Sequence, residues 1–169
     1  GVNLNKYKNV KINKKKIASF LFVGRYIREK GLQELLDAII ELNKKKIKFK
    51  IFMILAGDNF LSPLILNKLK DVKKFKNVIF ISYWVNDIRK YLNKIDCVVL
   101  PSYSEGMARI LLEGAASKKI LLASRISGCK EIVFDNFNGF TFLPRNKNDL
   151  IQKMLKVVDL KRKKKLFSY

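Results

Sequence analysis

Residues 96–124 read DCVVLPSYSEGMARILLEGAASKKILLAS. Cys97–Leu100 is an apolar run of strand length stopped by Pro101, and residues 120–123 form a second such run. Residues 106–117, between them, read as a helix. A strand, a helix and a strand in this order make a βαβ unit, whose two strands run parallel. Strands so continuously apolar are covered on both faces, which calls for helices on each side of the sheet.

The same alternation extends in both directions. Upstream, residues 17–23 are an apolar run ending at Gly24, and a helix is expected from Gly31. Its Leu32, Leu35, Leu36, Ile39, Ile40 and Ile47 recur at three- and four-residue spacing. Phe49–Ala56 is a strand with Gly57-Asp58-Asn59 as its exit turn, residues 62–73 a helix with Leu66 and Leu69 on one side, and Val78–Ile81 a third strand. Asn86 or Asp87 is placed to cap a short helix carrying Ile88, Tyr91 and Leu92. Downstream, residues 126–134 are mixed, with Gly128 in a turn. Residues 140–143 form a short strand ending at Pro144, and 148–160 the last helix. The expected fold is α/β: a doubly wound, parallel, six-stranded, Rossmann-like sheet with helices on both faces.

Composition narrows the chemistry. The chain has 169 residues, 36 Lys+Arg against 14 Asp+Glu and no histidine, for a formal net charge of +22. With 49% hydrophobic residues it holds enough apolar material for one sizeable core. The absence of histidine removes every mechanism needing an imidazole base from this chain, serine and cysteine triads included. Cys97 and Cys129 lack CxxC spacing and are too few for a zinc cage or disulfide scaffold. No run approaches the roughly 18 uninterrupted apolar residues of a membrane span, and no signal peptide opens the sequence. The expected location is therefore the cytoplasm.

The excess charge has two open readings. Of the basic residues 29 are Lys and 7 are Arg, whereas readers of nucleic acid favour the planar Arg fork, so no nucleic-acid partner is expected. Lys14-Lys15-Lys16, Lys44-Lys45-Lys46 and Lys163-Lys164-Lys165 sit at element ends, as a solvated surface or as attraction to an anionic membrane such as the inner face of the plasma membrane. Leu150, Ile151, Met154, Leu155 and Val158 form an apolar stripe beside Lys153, Lys156 and the lysines of 161–165, which faces either the core or such a membrane.

A doubly wound sheet binds its ligand beyond the carboxyl ends of its strands, so the residues at the strand exits are the candidates. Gly24 and Arg25 follow the first strand. Arg25 and Lys30 place two cations near a helix N-terminus, a pair suited to a diphosphate. Glu105 stands in the loop after the fourth strand, and Glu113 lies about two turns into the next helix. Gly106, Met107 and Ala108 are expected to open that helix and offer free amides to an anion. Ser82 and Tyr83 follow the third strand, with Trp84 just beyond, either bordering the pocket or packing. Cys97 reads as a small core hydrophobe, and Cys129 as a thiol near the pocket with no argument for a nucleophile.

Together these pieces resemble the retaining glycosyltransferases of family 4, specifically the donor-binding C-terminal half of their GT-B fold. The matching residues are Val23-Gly24-Arg25 with Glu29-Lys30-Gly31, Leu55-Ala56-Gly57-Asp58, DCVVLPSYSE from Asp96, the Glu-x7-Glu segment EGMARILLE, and SGCKEIVFDNFNGFTFLP from Ser127 to Pro144. EGMARILLE and SGCKEIV look most like members that extend bacterial surface glycans on lipid carriers. The resemblance implies catalytic roles for Arg25 and Lys30, which would neutralise the donor diphosphate, and for Glu105, which would contact the donor sugar. It implies that Glu113 holds the ribose hydroxyls, that Gly24, Gly106, Met107 and Ala108 lie against sugar and phosphate, that Ser82 and Tyr83 lie by the base, and that Glu131 is a contact near the donor. The substrate implied is a nucleotide-sugar, with uridine preferred, and no cofactor or metal is expected.

The resemblance also divides the chain. Residues 1–16 are similar to the family's interdomain linker and 17–169 to the donor domain, leaving the N-terminal acceptor domain as a missing partner. Such a donor half is expected to have little or no transfer activity by itself. The sequence departs from the family pattern at Lys118 and Ile120, where a helix-ending Gly and a Pro are usual, and at Asn59 and Ser82, which replace turn glycines. The alternative is a degenerate nucleotide-binding module that docks on an anionic membrane or an acidic partner without catalysis. A generic Rossmann protein is disfavoured because Gly24-Arg25-Tyr26-Ile27 opens no GxGxxG run.

Overall fold

The computed structural model describes residues 1–58 and 60–164; Asn59, Lys165 and residues 166–169 lie outside them, and with them the reading of Asn59 as a turn residue. Six strands, β1 (Ala18–Arg25), β2 (Phe49–Ala56), β3 (Val78–Ile81), β4 (Cys97–Leu100), β5 (Ile120–Ser124) and β6 (Gly139–Phe142), form one sheet in the order β3-β2-β1-β4-β5-β6. Every pairing is parallel. The chain lays down β2 and β3 to one side of β1, then crosses to the other side and lays down β4, β5 and β6. β1 and β4 are thus neighbours at the point where the order reverses, and a crevice opens at their carboxyl ends.

The period of two along each strand sorts the core into two layers. Phe20 and Phe22 of β1, Ile51, Met53 and Leu55 of β2, and Val99 of β4 point to one side, where α1 (Leu32–Lys44), α2 (Pro63–Val72) and α6 (Lys147–Arg162) cover them. Leu21, Ile54, Val98 and Leu100 point to the other, under α3 (Arg89–Leu92), α4 (Arg109–Ala116) and α5 (Ser127–Lys130). Burying each such side chain contributes about 1.5–3 kcal/mol. The stripe on α6 belongs to the first layer: Leu150, Ile151 and Met154 are buried there, with Leu155 and Val158 packed against it. It is not available to a membrane, and the membrane reading of this helix is corrected. No helix among the described residues is long and apolar enough to cross a bilayer.

Strands β2, β3 and β4 match the sequence reading, the other strand boundaries shift by one or two residues, and α1 ends at Lys44, which leaves Ile47 outside it. Three differences matter. β1 runs on through Gly24 and Arg25, so these end the strand rather than follow it. α4 begins at Arg109, so residues 106–108 are irregular rather than its first turn, and Glu113 lies one turn into the helix instead of two. Gly128 sits in a turn as expected, but in a helical one, that of α5, which packs directly beneath the backbone of Glu105 and Gly106. The N-cap of α3 is Ile88 rather than Asn86 or Asp87, and Asp87 serves the helix from one residue further out, its Oδ1 accepting the Arg89 amide at 3.0 Å. The Arg89 guanidinium and amide together pull the Asp87 pKa down to about 2.

Residues 1–16 lie against the domain. Asn3 caps a 3-10 turn at Leu4–Lys6, Tyr7 and Asn13 are buried, and the Lys11 amide donates to Asn93 Oδ1 at 2.6 Å.

Candidate functional site

A cleft of about 650 Å³ occupies the crevice between the ends of β1 and β4. Val23, Gly24 and Arg25 line it from β1, Ile54 and Ala56 from β2, Leu100 from β4, Glu105, Met107 and Ala108 from the following loop, and Arg109, Ile110 and Glu113 from α4. Residues 84–89 close one side, and Lys6 and Tyr7 of the N-terminal segment reach the same space.

Two loops meet at its floor. After β1 the chain makes a 3-10 turn, Arg28–Lys30, and enters α1 through Gly31 at φ 64°. A Cβ at Gly31 would stand 1.9 Å from the Pro101 carbonyl oxygen, so the close approach of α1 to the end of β4 requires glycine. The Tyr103 amide donates to the Glu29 carbonyl at 2.8 Å, tying the same loops again. Tyr103 also donates its hydroxyl to Glu34 at 2.5 Å, and burial, then Glu34, push its pKa up. Across this junction the Lys30 ammonium donates to Glu105 Oε1 at 2.6 Å, with side-chain exposures of 20% and 11%. Arg25 is exposed at the lip, with no partner for its guanidinium among the described residues.

The amides of Gly106, Met107 and Ala108 have no acceptor within the protein among the described residues, and they precede the positive end of α4. One turn on, buried Glu113 accepts from Arg109 Nε at 3.1 Å. Burial, followed by the nearby Glu113 carboxylate, raises the pKa of the Tyr7 phenol. One concave surface therefore carries free amides, two lysine or arginine cations from β1 and its exit, and two carboxylates about two helical turns apart in sequence. Such a surface can neutralise a diphosphate and accept hydrogen bonds from hydroxyls on either side of it. Among the described residues no three His, Cys, Asp or Glu side chains come together as metal ligands would.

The profile of the glycosyl transferases group 1 family matches residues 4–169. The chain belongs to this family. An uncharacterized glycosyltransferase of Methanocaldococcus jannaschii is 32% identical over 145 residues, covering 82% of this chain and 38% of that protein. The UDP-Gal:alpha-D-GlcNAc-diphosphoundecaprenol alpha-1,3-galactosyltransferase of Escherichia coli is 30% identical over 143 residues, covering 83% of this chain and 36% of that one. The crystal structure of the C-terminal domain of a group 1 family glycosyl transferase from Francisella tularensis superposes with a TM-score of 0.75 at 24% identity, over 99% of this chain and 93% of that chain. This last likeness speaks to the fold. The group 1 chain spans little more than a third of the length of the curated relatives it matches.

In this group 1 family member the candidate residues divide into two groups. Gly24, Arg25, Lys30, Glu105, Met107, Ala108 and Glu113 all line the cleft. Gly106 is among the exposed residues beside it, its amide free but its Cα outside the lining. Ser82 and Tyr83 are exposed and stand just before the lining residues of that loop, and the Tyr83 hydroxyl meets that of Tyr91 at 3.2 Å. Glu131 ends α5, exposed and outside the cleft.

Trp84 settles between its two readings: it is 74% exposed and borders the cleft rather than packing into the core. Both cysteines are free and buried. Burial pushes the Cys129 thiol up to about 12, with Glu105 adding to it and Lys30 opposing, so it is no thiolate. Among the cationic and phenolic residues lining the cleft, four escaped the sequence reading: Lys6, Tyr7, Arg89 and Arg109. Only Arg109 had a local signal, its four-residue spacing from Glu113. The others arrive through the fold of the N-terminal segment onto α3, where Arg89 Nη1 donates to the Lys6 carbonyl at 3.3 Å.

Proposed function

We propose that this chain is the donor-binding half of a retaining glycosyltransferase of family 4 that takes a UDP-linked sugar and delivers it to a surface-glycan or lipid-linked acceptor. The observation that carries this is the convergence of Lys30, Glu105, Glu113 and the unpartnered amides of residues 106–108 in one cleft at the switch point of the sheet. The uridine donor and the polyprenol-linked acceptor follow the name of the Escherichia coli relative.

In this reading the diphosphate lies between Arg25, Lys30 and the amides preceding α4. Cations fixed where charge grows stabilise the departing nucleoside diphosphate as the sugar–phosphate bond breaks. They take the place a metal ion holds in other transferases, so no metal is required. Glu113 accepts from the ribose hydroxyls, and Arg109 and Tyr7 hold its carboxylate in place. Glu105 accepts from hydroxyls of the sugar. The acceptor is supplied by a further domain, so the isolated chain binds donor with little or no transfer.

Calorimetric titration with UDP tests the proposal. Binding in the micromolar to millimolar range, weakened about tenfold or more by Arg25→Ala and by Glu113→Ala, is the expected result. No binding of UDP at millimolar concentration, or binding indifferent to both substitutions, sinks it.

A further inference from the structure

The cation best placed for a diphosphate is already occupied. Lys30 Nζ sits 2.6 Å from Glu105 Oε1, and neither side-chain charge has another polar partner among the described residues. The pair is not what holds its two loops together. The Tyr103 amide on the Glu29 carbonyl and the contact of Gly31 with Pro101 do that through backbone, independently of either charge. An ion pair that the fold does not need, at the floor of a cleft, is free to be exchanged.

We infer that the Lys30–Glu105 pair is a selectivity element that favours a nucleoside diphosphate-sugar over the bare nucleoside diphosphate. This rests on the reading of the cleft as a donor site. A diphosphate that recruits Lys30 strips Glu105 of its partner and leaves a carboxylate facing phosphate oxygens across a few ångströms. With bare UDP nothing replaces the lost donor, and the terminal phosphate brings further negative charge towards Glu105. With UDP-sugar the terminal phosphate is esterified, and sugar hydroxyls donate to Glu105 in place of Lys30. The exchange is compensated only when the sugar is present. After transfer the same pair re-forms as UDP leaves, so the arrangement also speeds product release.

The test is a double-mutant cycle of the full chain, Glu105→Gln, Lys30→Ala and both together, titrated by calorimetry with UDP and with UDP-glucose, UDP-galactose and UDP-N-acetylglucosamine. Glu105→Gln is expected to tighten UDP about threefold to tenfold and to leave the best UDP-sugar unchanged or weaker, collapsing the preference between them. Because Glu105→Gln works by freeing Lys30, its gain for UDP must shrink in the Lys30→Ala background. Circular dichroism and thermal melting check that each variant folds. The same coupling read along the other edge of the cycle has Lys30→Ala costing UDP less in the wild-type background than in Glu105→Gln.

The inference is overturned if Glu105→Gln leaves UDP affinity unchanged or weakens it. It is equally overturned if UDP and UDP-sugars tighten together, or if the gain is the same without Lys30, which is plain charge repulsion. Wild-type binding of UDP with any of these results leaves the donor reading standing. Failure of all four proteins to bind any nucleotide at millimolar concentration removes that reading and the inference with it.

Discussion

Lys161 on the last helix donates a 2.7 Å hydrogen bond to Asp96 Oδ1, a carboxylate wholly buried at the amino end of β4. Asp96 Oδ2 accepts from the Ser19 amide at 3.0 Å, the Ser19 hydroxyl at 2.9 Å and Asn13 Nδ2 at 3.1 Å. One carboxylate thus joins the N-terminal segment, β1, β4 and α6 at the end of the sheet opposite the cleft.

The two ends of that contact should not be equivalent. Asp96→Ala leaves the buried Lys161 ammonium with the Asn13 carbonyl as its remaining acceptor among the described residues, strands the Ser19 amide, and is expected to cost about 3–5 kcal/mol. Lys161→Ala leaves Asp96 with three hydrogen bonds and should cost about 1–3 kcal/mol. Urea denaturation of both variants measures the difference, and equal losses would refute the assignment of Asp96 as the hub.

Lys119, beside this network, gives a dependence on pH. It is buried, donates to the Lys11 carbonyl at 2.8 Å, and burial pulls its pKa from 10.5 down to about 8, with Asp96 opposing and Lys161 assisting. Between about pH 8 and 10.5 the unfolded chain binds more protons at this site than the folded one, so the contribution to stability rises with pH there. Below pH 8 the full penalty applies. Replacing the charge by Lys119→Met should therefore stabilise at pH 7 by about 1–3 kcal/mol, the lost hydrogen bond offsetting part of the gain. The gap between variant and wild type should narrow as pH climbs from 8 towards 10.5, measured by denaturation at each pH. A gap that widens instead reverses the sign and rejects the buried-charge account.

Lys118 occupies the left-handed region at φ 54°. Its amide bonds the Ala115 carbonyl at 3.0 Å and the next amide reaches back to Gly114 at 2.9 Å, the geometry in which helices end on glycine. The penalty for a Cβ in this region is about 1–2 kcal/mol, less the extra chain entropy glycine carries when unfolded. Lys118→Gly is expected to stabilise by about 1 kcal/mol, visible as a raised melting temperature. Lys118→Ala, which keeps the Cβ, should not.

Lys118 also marks how far the sequence could be read. The apolar runs of β2, β3 and β4 fixed their own ends, because a fully buried parallel strand leaves little choice of residue. The all-parallel order followed from strand–helix alternation. Residues 106–108 were harder: glycine, methionine and alanine carry no signal separating a first helical turn from a free loop. What holds them open is α5 beneath, a contact distant in sequence. Glu105 and Lys30 were each legible as charged residues at strand exits, but their pairing was not, since 75 residues separate them and only the switch point brings them together. Tyr7 was illegible for the same reason, its burial being a property of how residues 1–16 fold back.

The support beneath Glu105 supplies the sharpest link between fold and site. A Cβ on Gly128 would stand 2.2 Å from the Glu105 carbonyl oxygen and 2.7 Å from that of Gly106. Both obstacles are backbone, so Gly128→Ala must lift the loop that carries the carboxylate and the free amides instead of turning a side chain aside. The cost in stability is expected to be about 1–3 kcal/mol. Stability alone would not distinguish a site defect from a general one, and Lys161→Ala provides the control because it loosens the opposite end of the sheet by a similar amount. If the loop over Gly128 positions the donor groups, Gly128→Ala weakens nucleotide binding about tenfold or more while Lys161→Ala leaves it within about twofold. The same calorimetric titration with UDP reads both. Equal dissociation constants for the two variants would mean that the loop adapts and that α5 supports the fold without positioning the site.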